Sequence, residues 1–189
     1  MRIYYAASLV SVSLLPLLLI IKILIMKRNG VKAVRFGERD KKDFIIVPFA
    51  ALYFYFITAA AFDLPTIGSK IFYRYYVHWY GSALCFTGII FIASALIISG
   101  KSFRVGIDED SQKTLITKGP YAINRNPVYT GMLFIFAGVF ITYANWVFIA
   151  YIVAGFLVIH RQILKEEKSC EKVFGAEYDE YRSRVGRYF

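Results

Sequence analysis

The chain has 189 residues, of which 58% are hydrophobic, 18% aromatic and only 19% charged, with a mean hydropathy of +0.50. Soluble domains are usually about 45–50% apolar and about 25% charged, so soluble globular and disordered chains are both excluded. The net charge of +10 would suggest nucleic acid in a soluble protein, but in a lipid-embedded one it points to the anionic cytoplasmic leaflet and away from nucleic acid. Cys85 lies in an apolar run and Cys170 in a charged tail, so no disulfide framework is expected.

A helix needs about 20 apolar residues to cross a hydrocarbon core of about 30 Å, because every backbone polar group must be satisfied within the segment. Three stretches meet this requirement: Ile3 to Ile21, continuing past Lys22 to Met26; Phe44 to Phe62; and Trp79 to Ser99. In the first, the charges Lys22, Lys27 and Arg28 follow the apolar run and no small-residue cleavage site ends it. It therefore reads as a retained anchor and not as a signal peptide. Between Arg125 and His160 lie 34 uncharged residues, about 51 Å of helix, too long for one span and short for two. The segment is expected to be a tight hairpin turning at Thr142, Tyr143, Ala144 and Asn145, with arms of about 15 residues.

Five helices follow, and loop charge orients them. Residues 27–43 carry seven Lys/Arg, 101–125 five and 160–189 seven, whereas the opposite side holds only Arg2, Lys70 and Arg74. The N-terminus is then outside and the C-terminus cytoplasmic. The aromatic group Phe72, Tyr73, Tyr75, Tyr76, Trp79 and Tyr80 would mark the outer interface. The expected fold is an all-α integral membrane protein of about five transmembrane helices. Residues 1–100 supply the first three helices; residues 101–189 form a second region of loop, C-terminal helix hairpin and cytoplasmic amphipathic helix, which the resemblance described below implies is the catalytic one.

Polar chemistry concentrates on the basic side. The loop before the hairpin is dense in Gly, Pro, Asn and charge, and Pro120 and Pro127 stiffen it. It is either a ligand-contacting segment or a solvated connector. In the tail, Ile163, Glu167, Cys170, Phe174, Tyr178, Tyr181 and Val185 share one stripe at 100° per residue, with a break expected at Gly175. Glu167 lies on that apolar stripe and Glu166 at its margin. A carboxylate facing the bundle either contacts a ligand or pairs with a loop cation such as Arg125 or Arg104.

Other signals carry little. Gly100-Lys101-Ser102 mimics the end of a phosphate-binding loop, but Ala95 replaces the first glycine and a membrane helix precedes it. His78 and His160 fall on opposite sides of the bilayer, so no metal site is expected; His78 reads as interfacial and His160 as ending a helix.

The run GPYAINRNPVYTG, an apolar hairpin, and EEKSCEKVFGAEYDEYRSRVGR together resemble the isoprenylcysteine carboxyl methyltransferase and phospholipid N-methyltransferase superfamily of membrane enzymes. The resemblance covers roughly residues 101–187 and rests on five ordered elements. Asn126 stands where the carboxyl methyltransferases usually have His, while Asn-Pro-x-Tyr-x-Gly is the phospholipid N-methyltransferase pattern and Arg125 keeps the carboxyl methyltransferase arginine. Asn126 cannot titrate, which argues against an imidazole-like base there. Cys170 replaces a usual Leu and stays apolar.

The resemblance implies S-adenosylmethionine as cofactor, without metal, and methyl transfer to a lipophilic small-molecule or prenylated acceptor arriving from membrane lipid. It implies Arg125 and Glu167 as the catalytic pair. Glu167 with Glu166 would take the cofactor's ammonium, Arg125 and Asn126 a carboxylate of cofactor or acceptor, and Tyr121 and Tyr129 would supply rings. Backbone around Leu115, Thr117 and Gly119 would meet the adenosine, and Gly131 would permit close approach. A phospholipid N-methyltransferase is the main alternative; a sterol-reductase-like enzyme and a non-enzymatic lipid-binding scaffold are weaker ones.

Overall fold

The computed structural model describes residues 3–29, 46–72, 74–100 and 114–188. Arg104, Tyr73 and the segment 101–113 lie outside the described residues, as does most of the 27–43 loop. Helix α1 spans Ile3–Arg28, α2 Ile46–Ala61, α3 Tyr75–Ser99, α4 Pro127–Tyr143, α5 Trp146–Phe174 and α6 Ala176–Arg184, with a 3₁₀ turn at Gly119–Ala122. Helices α1, α3 and α5 are long and apolar enough to cross a membrane; α2 and α4 are shorter apolar helices of the same bundle. Leu17, Ile20, Ile21, Leu24, Ile90, Ile97 and Leu157 are all outward and exposed. So much apolar surface is stable only against lipid, and the chain is an all-α integral membrane protein.

Side-chain contacts set the up-and-down order. Ser82 Oγ donates to the Tyr4 carbonyl at 2.8 Å, and Lys22 Nζ donates to the Leu96 carbonyl at 2.5 Å. Helices α1 and α3 therefore run parallel, and Lys22 is satisfied at the basic end by a carbonyl in the last turn of α3. Helix α4 runs antiparallel to α3 along a seam of glycines. A Cβ on Gly81 would stand 2.6 Å from the Gly138 carbonyl, and one on Gly88 would stand 2.6 Å from the Gly131 carbonyl. Lipid tails offer no hydrophobic drive between helices, so association relies on such close backbone approach and on van der Waals packing. Gly131 thus faces Gly88 and Ile92 of α3, and its small size serves helix packing.

The hairpin exists with a tighter turn than the four residues expected. Thr142 and Tyr143 remain helical, Ala144 takes a left-handed conformation (φ 50°, ψ 40°), and the Asn145 side chain caps α5 by accepting from the Val147 N–H at 3.0 Å. The second arm does not stop at the membrane surface. Helix α5 continues unbroken from Trp146 to Phe174, so the expected amphipathic helix is mostly an extension of the hairpin arm. His160 accordingly lies within α5 and does not end a helix. The break at Gly175 is present, with φ at +51°, and α6 starts beyond it.

At the turn end, His78 is fully buried instead of interfacial. It stacks on Tyr4 at 4.9 Å, and its Nδ1 lies 2.7 Å from the Thr142 carbonyl. Tyr5 stacks on Tyr143 at 4.7 Å, and the Tyr143 hydroxyl donates to the Tyr5 carbonyl at 3.1 Å. Tyr75, Tyr76 and Tyr80 stay exposed around this core, as an interfacial aromatic belt requires.

Candidate functional site

At the opposite end, α4 begins where the loop is pinned. Pro127 occupies the first helical turn, where its missing N–H costs nothing. Just before it, the Asn124 side chain accepts from the Asn126 N–H at 2.9 Å, a local turn that aims Asn126 inward. Asn124 is fully buried and Asn126 is 8% exposed. Gly119 takes a left-handed φ of +59°, which disfavours any side chain, and packs the 3₁₀ turn against the Ile98 side chain of α3.

Of the expected tail stripe, Ile163 and Glu167 of α5 and Tyr178 and Tyr181 of α6 are buried, whereas Cys170, Phe174 and Val185 are only half-buried. Glu167 sits at the centre of a polar knot. Its Oε1 accepts from Asn126 Nδ2 at 3.0 Å and lies 3.5 Å from Arg125 NH2. Its Oε2 accepts from Arg187 Nε at 3.0 Å and Arg187 NH2 at 2.9 Å. An ionised carboxylate has about four acceptor positions; here three accept hydrogen bonds, and Arg125 stands near Oε1 as an ion-pair partner. Glu166 neighbours it, accepting from the Tyr129 hydroxyl at 2.5 Å and Gln162 Nε2 at 3.2 Å.

The loop is fastened to the tail as well. The Tyr181 hydroxyl donates to the Tyr121 carbonyl at 2.6 Å, the Arg125 N–H to the Gly186 carbonyl at 3.0 Å, and Arg125's guanidinium lies 5.9 Å from the Tyr178 ring centre. Burial first, then the Glu166 carboxylate, pushes the Tyr121 phenol well above its ordinary range. Burial, opposed by Arg125, pushes Tyr181 up to about 12. The hydrogen bonds from Arg187 to Glu167 raise the guanidinium further.

Arg125, Asn126, Tyr129, Glu166 and Glu167 therefore converge, with Tyr121 beside them. Leu115 and Thr117 lie in the extended stretch leading to the 3₁₀ turn, and Gly119 starts that turn. Sequence reasoning missed Arg187, Asn124 and Gln162. Gln162 lies one turn before Glu166 on α5, a spacing that was available; Arg187 follows a helix break that erases any periodic signal.

Arg125 Nε and Asn124 Nδ2, together with the Thr130 hydroxyl in the first turn of α4, are buried and lack a hydrogen-bond partner among the described residues. Buried donors are normally satisfied, so the Arg125 and Asn124 donors mark a place prepared for an acceptor-rich group.

A family model described as phospholipid methyltransferase matches residues 76–177, from the start of α3 through the loop and the hairpin to the end of α5 and the first residues of α6. The chain is 30% identical over 116 residues to a protein-S-isoprenylcysteine O-methyltransferase of Tribolium castaneum, covering 58% of this chain and 41% of that protein. It is 31% identical over 115 residues to protein-S-isoprenylcysteine O-methyltransferase B of Arabidopsis thaliana, covering 57% and 58% respectively. The chain thus spans about half the length of the curated relatives it matches. Its fold is similar to that of the eukaryotic intramembrane Ras methyltransferase ICMT, with TM-score 0.62 at 21% identity, over 89% of this chain and 59% of that one. With the matched region spanning more than half its length and holding every residue of the polar knot except Arg187, the chain belongs to the phospholipid methyltransferase family.

Proposed function

We propose that the protein transfers a methyl group from S-adenosylmethionine to the carboxylate of a lipophilic, prenylcysteine-type acceptor at the basic face of the bundle. That face is cytoplasmic, with the N-terminus outside. The observation that carries the reading is the buried knot of Arg125, Asn126 and Glu167 with unsatisfied donors beside it. The named relatives act on isoprenylcysteine, which supports the acceptor class.

The residues fit the cofactor. Arg125 Nε and Asn124 Nδ2 are donors awaiting an acceptor-rich group such as a carboxylate. Glu166 offers negative charge to an ammonium, and the Tyr121 and Tyr129 rings suit a sulfonium or an adenine. Glu167 already accepts three hydrogen bonds from its own chain, so its part is to hold Asn126 in place. Gly131 belongs to the α3–α4 seam. S-adenosylmethionine supplies, when bound, a methyl on a sulfonium, which passes in line to a nucleophile and leaves a neutral thioether.

The chain's task is alignment and exclusion of water. A carboxylate acceptor attacks without losing a proton, and the knot matches that need, because Asn126 cannot titrate and Glu167 accepts three hydrogen bonds from Asn126 and Arg187. An amine acceptor would have to shed a proton to a base. The Asn-Pro-x-Tyr-x-Gly pattern at Asn126 is the feature that favours the second reading, phospholipid N-methylation.

The test incubates purified protein and methyl-labelled S-adenosylmethionine with S-farnesylcysteine or with phosphatidylethanolamine. Label in a base-labile methyl ester of the prenylcysteine is expected. Label in the phospholipid amine alone would move the assignment to the second reading, and label in neither, from a folded preparation that binds no cofactor, would remove the enzyme reading.

A further inference from the structure

The segment that follows α6 supplies half of the bonds to Glu167 although it lies outside the family-matched region. Its backbone also closes on the loop: the Gly186 carbonyl accepts from the Arg125 N–H at 3.0 Å, and the Arg187 carbonyl accepts from Asn126 Nδ2 at 3.2 Å. Tyr188 anchors it further along, its hydroxyl 2.7 Å from His160 Nδ1 and its ring 6.2 Å from the Phe156 ring. Residues 186–188 thus join the loop to α5 across the open side of the knot.

The division of labour on Glu167 is uneven. Arg187 holds Oε2 with two close, parallel N–H bonds, while Arg125 touches Oε1 only at 3.5 Å and keeps Nε without a partner. A bidentate guanidinium is the strongest partner a carboxylate commonly finds. With Arg187 in place, Arg125 is drawn only loosely toward Glu167. Were Arg187 absent, the buried carboxylate would lose its main counter-ion, and Arg125, with a side chain 11% exposed, would be the nearest cation able to replace it. Arg125's donors would then turn onto Glu167 and away from the site.

We propose that Arg187 is a positioning residue which, by satisfying Glu167 from the open side, keeps Arg125 available to bind a ligand carboxylate. The proposal rests on the methyltransferase reading and adds to it the residue that keeps its anion-binding donors free. The carboxylate can be that of the cofactor or that of the acceptor, and the experiment separates the two.

Arg187→Ala and Arg187→Lys are compared with the unaltered protein in detergent or nanodiscs. The readouts are the Kd for S-adenosylmethionine, the Kd for decarboxylated S-adenosylmethionine, the KM for S-farnesylcysteine, and Tm. If Arg125 serves the cofactor, Arg187→Ala weakens S-adenosylmethionine about tenfold, the usual worth of a charge-assisted hydrogen bond, and leaves the decarboxylated analogue and the farnesylcysteine KM unchanged. If Arg125 serves the acceptor, the farnesylcysteine KM rises about tenfold and both cofactor affinities stay put. Arg187→Lys should fall between, because one ammonium cannot make both contacts, and millimolar guanidinium should restore Arg187→Ala. Equal loss for both cofactor forms alongside a lower Tm would overturn the proposal in favour of a purely structural ion pair, as would no loss in any arm. If the unaltered protein binds neither cofactor form, the methyltransferase reading fails and the proposal falls with it.

Discussion

At the end of the bundle that carries the α4–α5 turn, helices meet through bare backbone and stacked rings: Gly81 against Gly138, Tyr5 on Tyr143, His78 on Tyr4. At the loop end, the same helices and the tail meet through a carboxylate filled with donors. Both ends face the problem that lipid supplies no hydrophobic drive between helices. The turn end answers with shape, which tolerates no added volume. The loop end answers with charge, and there Arg125 Nε and Asn124 Nδ2 are buried without a hydrogen-bond partner among the described residues.

Substitutions of graded effect would break or sharpen this contrast. Glu167→Leu removes the hub of the knot and strands Arg125 and Arg187; breaking a buried pair from one side costs about 3–5 kcal/mol. Chemical or thermal unfolding in detergent should show it, and a loss below 1 kcal/mol would mean the knot is not structural. Gly138→Ala places a Cβ 2.6 Å from the Gly81 carbonyl and 2.7 Å from Cys85 N, forcing α3 and α4 apart at about 1–3 kcal/mol. Its cofactor affinity should change little once the protein is folded, whereas a large affinity loss at normal stability would show that the two ends are coupled.

Tyr181→Phe deletes the hydroxyl that donates to the Tyr121 carbonyl and should cost about 1 kcal/mol. It also carries a pH signature. The folded-state phenol is pushed up to about 12 from an ordinary value of 10.0, so the unfolded chain gives up this proton first as pH rises. Tyr181's contribution is fully present below pH 10 and is lost as pH climbs toward 12. The difference in stability between the unaltered protein and Tyr181→Phe should therefore shrink across that window, and a constant difference would refute it. The smallest effect belongs to Glu171→Gln. Glu171 pairs with Arg182 on an exposed face, and such surface pairs contribute about 0–1 kcal/mol; neither stability nor binding should move appreciably.

How much of this was legible depended on how local the cause was. Glu167 could be picked out because helix phase alone put a carboxylate on an apolar stripe, and Ile163, one turn earlier on the same helix, is buried with it. Its main partner could not. Arg187 lies 20 residues on, past Gly175, whose left-handed φ of 51° turns the chain and ends the phase relation. Arg125, offered as a pairing partner, does reach Glu167, but only at 3.5 Å. His78 was expected at the interface from its aromatic neighbours, yet α1 lays Tyr4 against it at 4.9 Å, a contact between residues with no local relation. Gly131 has the same moral: its motif suggested a ligand, and α3 supplies the neighbour instead.

The sequence by itself determined the class of solvent, the helices and their alternation, because run length is matched to a hydrocarbon thickness and each backbone must satisfy itself within its own segment. It also determined which end is basic, since charge is a property of composition. Only the tertiary structure decided that α5 runs on from membrane to tail as one rod, that α3 and α4 touch backbone to backbone, and which cation holds Glu167. Those outcomes depend on distances between residues far apart in the chain, and such distances are set by packing, not by any periodic pattern along it.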